Sequence, residues 1–158
     1  FALADRQKAE CAFILFDIDH FKRINDTYGH ITGDKILIEL MKRIQGVMRT
    51  SDVLARFGGE EFMLLLPFTS LSSTLLVAEK IRQFVTVTPF TVAGQSIPVT
   101  ISLGVSVRHP GQEDFEPVLQ QADQALYKAK TSGRNRVCHF SDKPHAPESV
   151  KPAVLERV

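Results

Sequence analysis

The chain has 158 residues, 44% hydrophobic and 23% charged, which suits a single globular domain with one sizeable core. Lys and Arg number 19 against 18 Asp and Glu, a net charge of +1, so no broad basic field points to nucleic acid or an anionic membrane as partner. Cys11 and Cys138 lack zinc or disulfide spacing and read as reduced core thiols, and with no signal peptide and no run near the roughly 20 apolar residues of a membrane helix, a soluble, cytoplasmic segment is expected.

The chain begins at Phe1, without Met, in a charged stretch to Glu10 that reads as a piece of something longer. Ala12-Phe13-Ile14-Leu15-Phe16 is a short apolar run without helical spacing and predicts a buried strand, its end carrying Asp17 and Asp19. After a polar stretch with Gly29 and Gly33, Leu37, Leu40, Met41, Ile44, Val47 and Met48 recur at helical spacing and predict an amphipathic helix over about Asp34 to Arg49. Val53 to Phe57 and Phe62 to Leu66 then flank Gly58-Gly59 as two strands flank a hairpin turn. Leu75, Ala78, Ile81 and Val85 mark a second helix.

Phe90 to Val92, the turn Ala93-Gly94-Gln95 and Ile97 to Val107 predict another hairpin leading into a strand with Val99, Ile101, Leu103 and Val105 on one face. Val118, Leu119, Ala122, Ala125, Leu126 and Ala129 form a last helix, which Gly133 is expected to end in the left-handed conformation, and Arg136 to Phe140 close as a strand. The Pro-rich polar stretch from Ser141 has little to bury and reads as a flexible tail over 141–158. The element pattern predicts an α+β fold, a central and mainly antiparallel sheet flanked by helices.

A carboxylate at a strand end beside a tight turn bearing more carboxylates can hold Mg2+, which takes a few protein oxygens together with water and substrate phosphates. Asp17, Glu60 and Glu61 are such a set, and Gly58 and Gly59 leave the backbone open to a phosphate. A plain hairpin with solvated acids accounts for the turn equally well.

The company of that turn is more specific. The stretch from Asp17-Ile18-Asp19 through Asn25-Asp26 to Gly33-Asp34 resembles the first signature of the GGDEF family. Arg56-Phe57-Gly58-Gly59-Glu60-Glu61-Phe62 resembles its name-giving motif in a Gly-Gly-Glu-Glu-Phe form, and Ala122-Asp123, Ala125 to Lys130 and Gly133-Arg134-Asn135 resemble its last helix and exit. The likeness spans about Ala12 to Phe140 and gives a domain over 1–140, trimmed at its N-terminus, since the family's Leu-Thr-Gly-x-x-Asn-Arg segment has no counterpart before Ala12.

The resemblance implies a fold similar to adenylyl cyclase and polymerase palm domains. It also implies a diguanylate cyclase that joins two GTP into cyclic di-GMP across a homodimer, with two Mg2+ per site and Mn2+ as an alternative. It implies that Asp17 and Glu60 are the catalytic metal ligands, helped by the backbone of Ile18. Asn25 and Asp34 would bind guanine, and Lys22, Lys130 and Arg134 the triphosphate, with Phe21, Gly58 and Gly59 lining the substrate. Asp19 would stand behind the ligands, and Glu61 would position the metal or Lys22. Arg49 and Asp52, at the offset of the family's RxxD motif, would bind the product as an inhibitor, with Lys80 where the family carries a supporting Arg. A catalytically silent domain that senses GTP or cyclic di-GMP is the alternative.

Overall fold

The computed structural model describes residues 2–140, and the expected tail lies outside them. A short helix, α1 (Ala2–Arg6), precedes the strand β1 (Cys11–Ile18), in which only Leu15 is not buried. Two helices follow, α2 (Phe21–Tyr28) and α3 (His30–Gln45), hinged at Gly29 with φ of 90°. Next come β2 (Val53–Gly58), β3 (Glu61–Pro67), α4 (Leu71–Val87), the small hairpin β4 (Phe90–Val92) and β5 (Gln95–Ile97), β6 (Ile101–Arg108), α5 (Glu116–Thr131) and β7 (Val137–His139).

The strands β2-β3-β1-β6-β7 make one sheet, antiparallel except for the last pair, while β4 and β5 stand apart as a second. Alternation in β1 sends Ala12, Ile14, Phe16 and Ile18 into the main core. There they meet Leu64 of β3, Leu103 and Val105 of β6, Leu37, Leu40 and Ile44 of α3, and Ala78, Ile81 and Val85 of α4. Phe16 stacks on Phe62, the ring centroids 5.3 Å apart. The helix α5 lies along β6, mainly, and β1, burying Val118, Ala122, Ala125, Leu126 and Ala129. Its backbone comes so close at Gly104 that a Cβ there would stand 2.2 Å from the Ala122 carbonyl oxygen and the Leu126 nitrogen.

Several expectations change in detail. The polar stretch after Asp19 is helical, because Phe21 and Ile24 bury against the core and α3 starts at His30 rather than Asp34. β6 begins only at Ile101 and is buried on both faces, since helices cover both. The Phe115 carbonyl opens α5, and its end closes with the Arg134 N–H on the Ala129 carbonyl, a Schellman contact. Gly133 there has φ of 126°, and Arg134 and Asn135 carry the left-handed dihedrals. Cys11 is buried as expected, Cys138 is half-buried, and both thiols are free.

Candidate active site

β1 is the middle strand of the sheet and delivers Asp17 to its end, across from Glu61 of β3 on one side and Ser102 of β6 on the other. Asp17 is 4% exposed. One carboxylate oxygen, Oδ2, is paired with the Lys130 ammonium from the last turn of α5. The other, Oδ1, is buried without a hydrogen-bond partner. Burial pushes the Asp17 carboxyl up from 3.8 to about 6; Lys130 opposes that rise, and the charges of Asp19 and Glu60 add to it. The strand end thus holds a buried oxygen suited to a cation, with an ammonium already on its neighbour.

Glu60 reaches this place from the hairpin between β2 and β3. The turn residues are Gly59 and Glu60, one position later than Gly58-Gly59, because a bulge lies between Arg56 and Gly58 and Gly58 pairs with Glu61. Gly58 and Gly59 have φ of 140° and 55°, and a Cβ on either would meet nothing within 4 Å, so the turn is open to an approaching phosphate. Arg56 clamps it by donating from Nε to the Gly59 carbonyl at 2.9 Å.

Asp19 has a different task from Asp17. Its carboxylate accepts from the hydroxyls of Thr100 at 2.7 Å and Ser102 at 2.6 Å and from the Asn135 N–H at 2.9 Å. It therefore ties the end of β1 to β6 and to the turn that carries Arg134. Asn135 is held in turn by Arg82 and Thr86 of α4, which donate to its Oδ1 at 2.7 and 3.1 Å. Arg82 is itself gripped by Glu79 at 2.6 Å. Thr100, Ser102, Arg82 and Thr86 are supports that sequence reading missed, and Asn135 was noted only as part of the exit motif; the hydroxyl of Ser102 within an apolar strand was a visible signal.

After the turn at His20, whose φ is 53°, α2 places Phe21 inside and Lys22 outside. Asn25 is half-buried, with Oδ1 buried and unpartnered. Asp34 is exposed in the first turns of α3, and Arg134 is exposed just beyond α5. Among the described residues, neither Lys22 nor Glu61 enters a salt bridge. Glu61 instead lines a cavity of about 420 Å³ between α5 and the β1–β3 pair, with Phe57, Leu119 and Gln120, and neither Asp17 nor Glu60 lines it. Arg49 and Asp52 form a tight turn in which Asp52 accepts from the Arg49 N–H at 2.7 Å, and Lys80 is exposed on α4.

Asp17 and Glu60 fit a divalent cation: an orphaned carboxylate oxygen, a lysine ammonium standing on its twin, and mutual repulsion that a cation would relieve. Among the described residues no three Asp, Glu, His or Cys side chains converge, so the protein would contribute two carboxylates. The remaining oxygens would come from backbone, water and phosphate, as magnesium prefers over a cage made by protein alone. No helix among the described residues is long and apolar enough to cross a membrane.

The chain matches the profile of the diguanylate cyclase GGDEF domain over residues 1–136. It is 45% identical over 131 residues to diguanylate cyclase A of Treponema denticola, covering 83% of this chain and 35% of that protein. It is 46% identical over 126 residues to the response regulator PleD of Caulobacter vibrioides, covering 78% of this chain and 28% of that one. It thus spans about a third of the length of these curated relatives. Among solved structures, the active GGEEF domain of a diguanylate cyclase from Vibrio cholerae superposes with a TM-score of 0.83 at 39% identity, over 90% of both chains. The GGDEF domain of DgcB from Caulobacter crescentus, in complex with c-di-GMP, does so with a TM-score of 0.81 at 35% identity, over 88% of this chain and 82% of that one.

Proposed function

The chain belongs to the GGDEF family of diguanylate cyclase domains, and from that membership and its acidic strand end we propose that it joins two GTP into cyclic di-GMP in the cytoplasm. The 3′-hydroxyl of one GTP attacks the α-phosphorus of the other; a P–O bond forms, the bond to pyrophosphate breaks, and the hydroxyl proton passes to a base. The same exchange in the opposite sense closes the ring and releases the second pyrophosphate.

The observation that carries this reading is the unpartnered Oδ1 of Asp17, buried at the strand end where the charge of Glu60 acts on it. Asp17 and Glu60, with the Ile18 carbonyl, would hold Mg2+, which supplies positive charge to the phosphate oxygens and makes a nearby hydroxyl more acidic. Lys130 turns to the triphosphate once Asp17 is otherwise neutralised, and Arg134, exposed in the turn after α5, adds a second charge to it. Lys22 on α2 is free in the described structure to do the same. Asp34 offers an acceptor to the N–H groups on guanine's pairing edge, which an adenine would not satisfy, and Asn25, whose Oδ1 is buried, bonds the same base through its amide Nδ2. Glu60 or Asp17 takes the hydroxyl proton.

One chain holds one GTP, so the reaction needs two chains face to face, and holding the substrates together supplies much of the rate. Arg49 and Asp52 form the product site, Arg49 reading guanine from its exposed turn. Lys80 cannot make the paired bonds of an arginine, so that site is weak. None of the four residues Asp17, Asn25, Asp34 and Glu60 is replaced by an inert one, which favours an enzyme over a silent sensor. Incubated with GTP and Mg2+, the protein should yield cyclic di-GMP by mass spectrometry, and Glu60→Ala should yield none. ATP accepted as readily as GTP would count against the base assignment.

A further inference from the structure

Gly33 is inside α3, where glycine weakens a helix relative to alanine, and its backbone is not among those with positive φ. Helix geometry therefore gives no reason for it. The reason lies across the α2–α3 contact. A Cβ at Gly33 would stand 1.9 Å from Asn25 Oδ1, 3.0 Å from Asn25 Cγ and 3.2 Å from Phe21 Cζ. Phe21 could give by a few tenths of an ångström. A carbon 1.9 Å from an oxygen cannot be accommodated, so the carboxamide of Asn25 would have to leave its place.

That carboxamide is itself costly to keep there. Its Oδ1 is buried without a hydrogen-bond partner, and an unpaired buried acceptor destabilises a fold. Two local weaknesses, a glycine in a helix and an orphaned carbonyl, therefore meet at one contact. Such sites are where a sequence departs from what folding alone would select.

We propose that Gly33 is a positioning residue for base recognition: its missing Cβ is the space that takes Asn25 Oδ1, which leaves the amide Nδ2 to face the guanine. This rests on the reading of Asn25 as a base-contacting residue. An alanine at this position acts as a wedge: α2 and α3 stay packed, because the clash falls on the end of a side chain, and Asn25 swings out of register with the base.

The test is a double-mutant cycle with Gly33→Ala, Asn25→Ala and the pair together. The affinity for a GTP analogue with a methylene between the α- and β-phosphates is measured by calorimetry with Mg2+, alongside thermal melting. Each single change should weaken binding by about tenfold, the worth of one good hydrogen bond, and the pair should bind no more weakly than Asn25→Ala alone. Melting should show the same coupling, with Gly33→Ala raising Tm in the Asn25→Ala background, where the space is vacated, and not in the wild type.

Wild-type affinity in Gly33→Ala, with Asn25→Ala impaired, overturns the role of Gly33 alone. Wild-type affinity in Asn25→Ala overturns the proposal together with the base contact on which it rests. Losses that multiply in the pair also overturn it. Should Gly33→Ala fail to fold, folding of the pair supports the shared space, and failure of the pair as well overturns it.

Discussion

Asp17→Asn should give a protein that is more stable and inactive. Burial moves the Asp17 carboxyl from 3.8 to about 6, so above that pH the fold carries a charge it would hold more cheaply as the neutral acid. The advantage of the protonated form is fully present below 3.8 and lost as pH rises through about 6. At about 1.4 kcal/mol per pH unit, the displacement amounts to about 3 kcal/mol at about pH 7.5 and about half of that at about pH 5. The variant removes this cost. It also deprives Lys130 of its partner, but that side chain is 32% exposed and can turn to water. Urea denaturation in the presence of a chelator, at the two pH values, measures both effects. A gain of about 2–3 kcal/mol at the higher pH that roughly halves at the lower is the expected result. A variant less stable than wild type, or a gap that ignores pH, would mean that burying the Asp17 charge does not cost the fold stability.

Asp19→Asn leaves one acceptor oxygen where two served Thr100, Ser102 and Asn135, and should cost about 2–4 kcal/mol in urea denaturation. It should also lower the Asp17 titration, followed by carbon NMR, because the Asp19 charge is one cause of its rise; an unmoved titration would contradict that coupling. Gly104→Ala drives a Cβ to 2.2 Å from the backbone of α5, which cannot yield as a side chain can, and a loss of about 3 kcal/mol or more is expected by calorimetric melting. Arg108 holds Asp5 with two bonds of 3.0 Å and keeps its carboxyl below 3.8. That stability is present above 3.8 and lost as pH falls through the lowered value, so the Tm deficit of Asp5→Asn should be largest at neutral pH and close in acid. Calorimetry with cyclic di-GMP should show weaker binding to Arg49→Ala, and equal binding would remove Arg49 from the product site.

The parts of the fold that could be read from the chain were those with one clear period. β1 and β3 are dense apolar runs, and the spacing of Leu37, Leu40 and Ile44 or of Ala78, Ile81 and Val85 admits only a helix face. α2 was missed although Phe21, Ile24 and Tyr28 have helical spacing, because eight residues hold barely two turns and five of the eight are polar. What stabilises α2 is tertiary: two side chains that enter a core built by distant segments. The acids were visible as a cluster in the sequence, and the family resemblance set Asp19 behind Asp17, but what each carboxylate touches was not legible. Asp17 and Asp19 differ by two positions, yet one keeps an orphaned oxygen and the other has both satisfied by residues more than 80 positions away, a distinction that exists only once β6 lies beside β1. Likewise, no local pattern could show that Gly33 is there for Asn25.

On the proposed function, the end of β1 and the Gly59-Glu60 turn hold one GTP per chain, and catalysis occurs between two chains. The direct measurement is turnover per chain in Mg2+ and saturating GTP over a wide series of protein concentrations, with cyclic di-GMP as the product quantified. Turnover per chain that climbs with concentration toward a plateau, and vanishes throughout in Glu60→Ala, is the predicted result. Turnover per chain that is constant from the most dilute sample, or product that persists without Glu60, would contradict it.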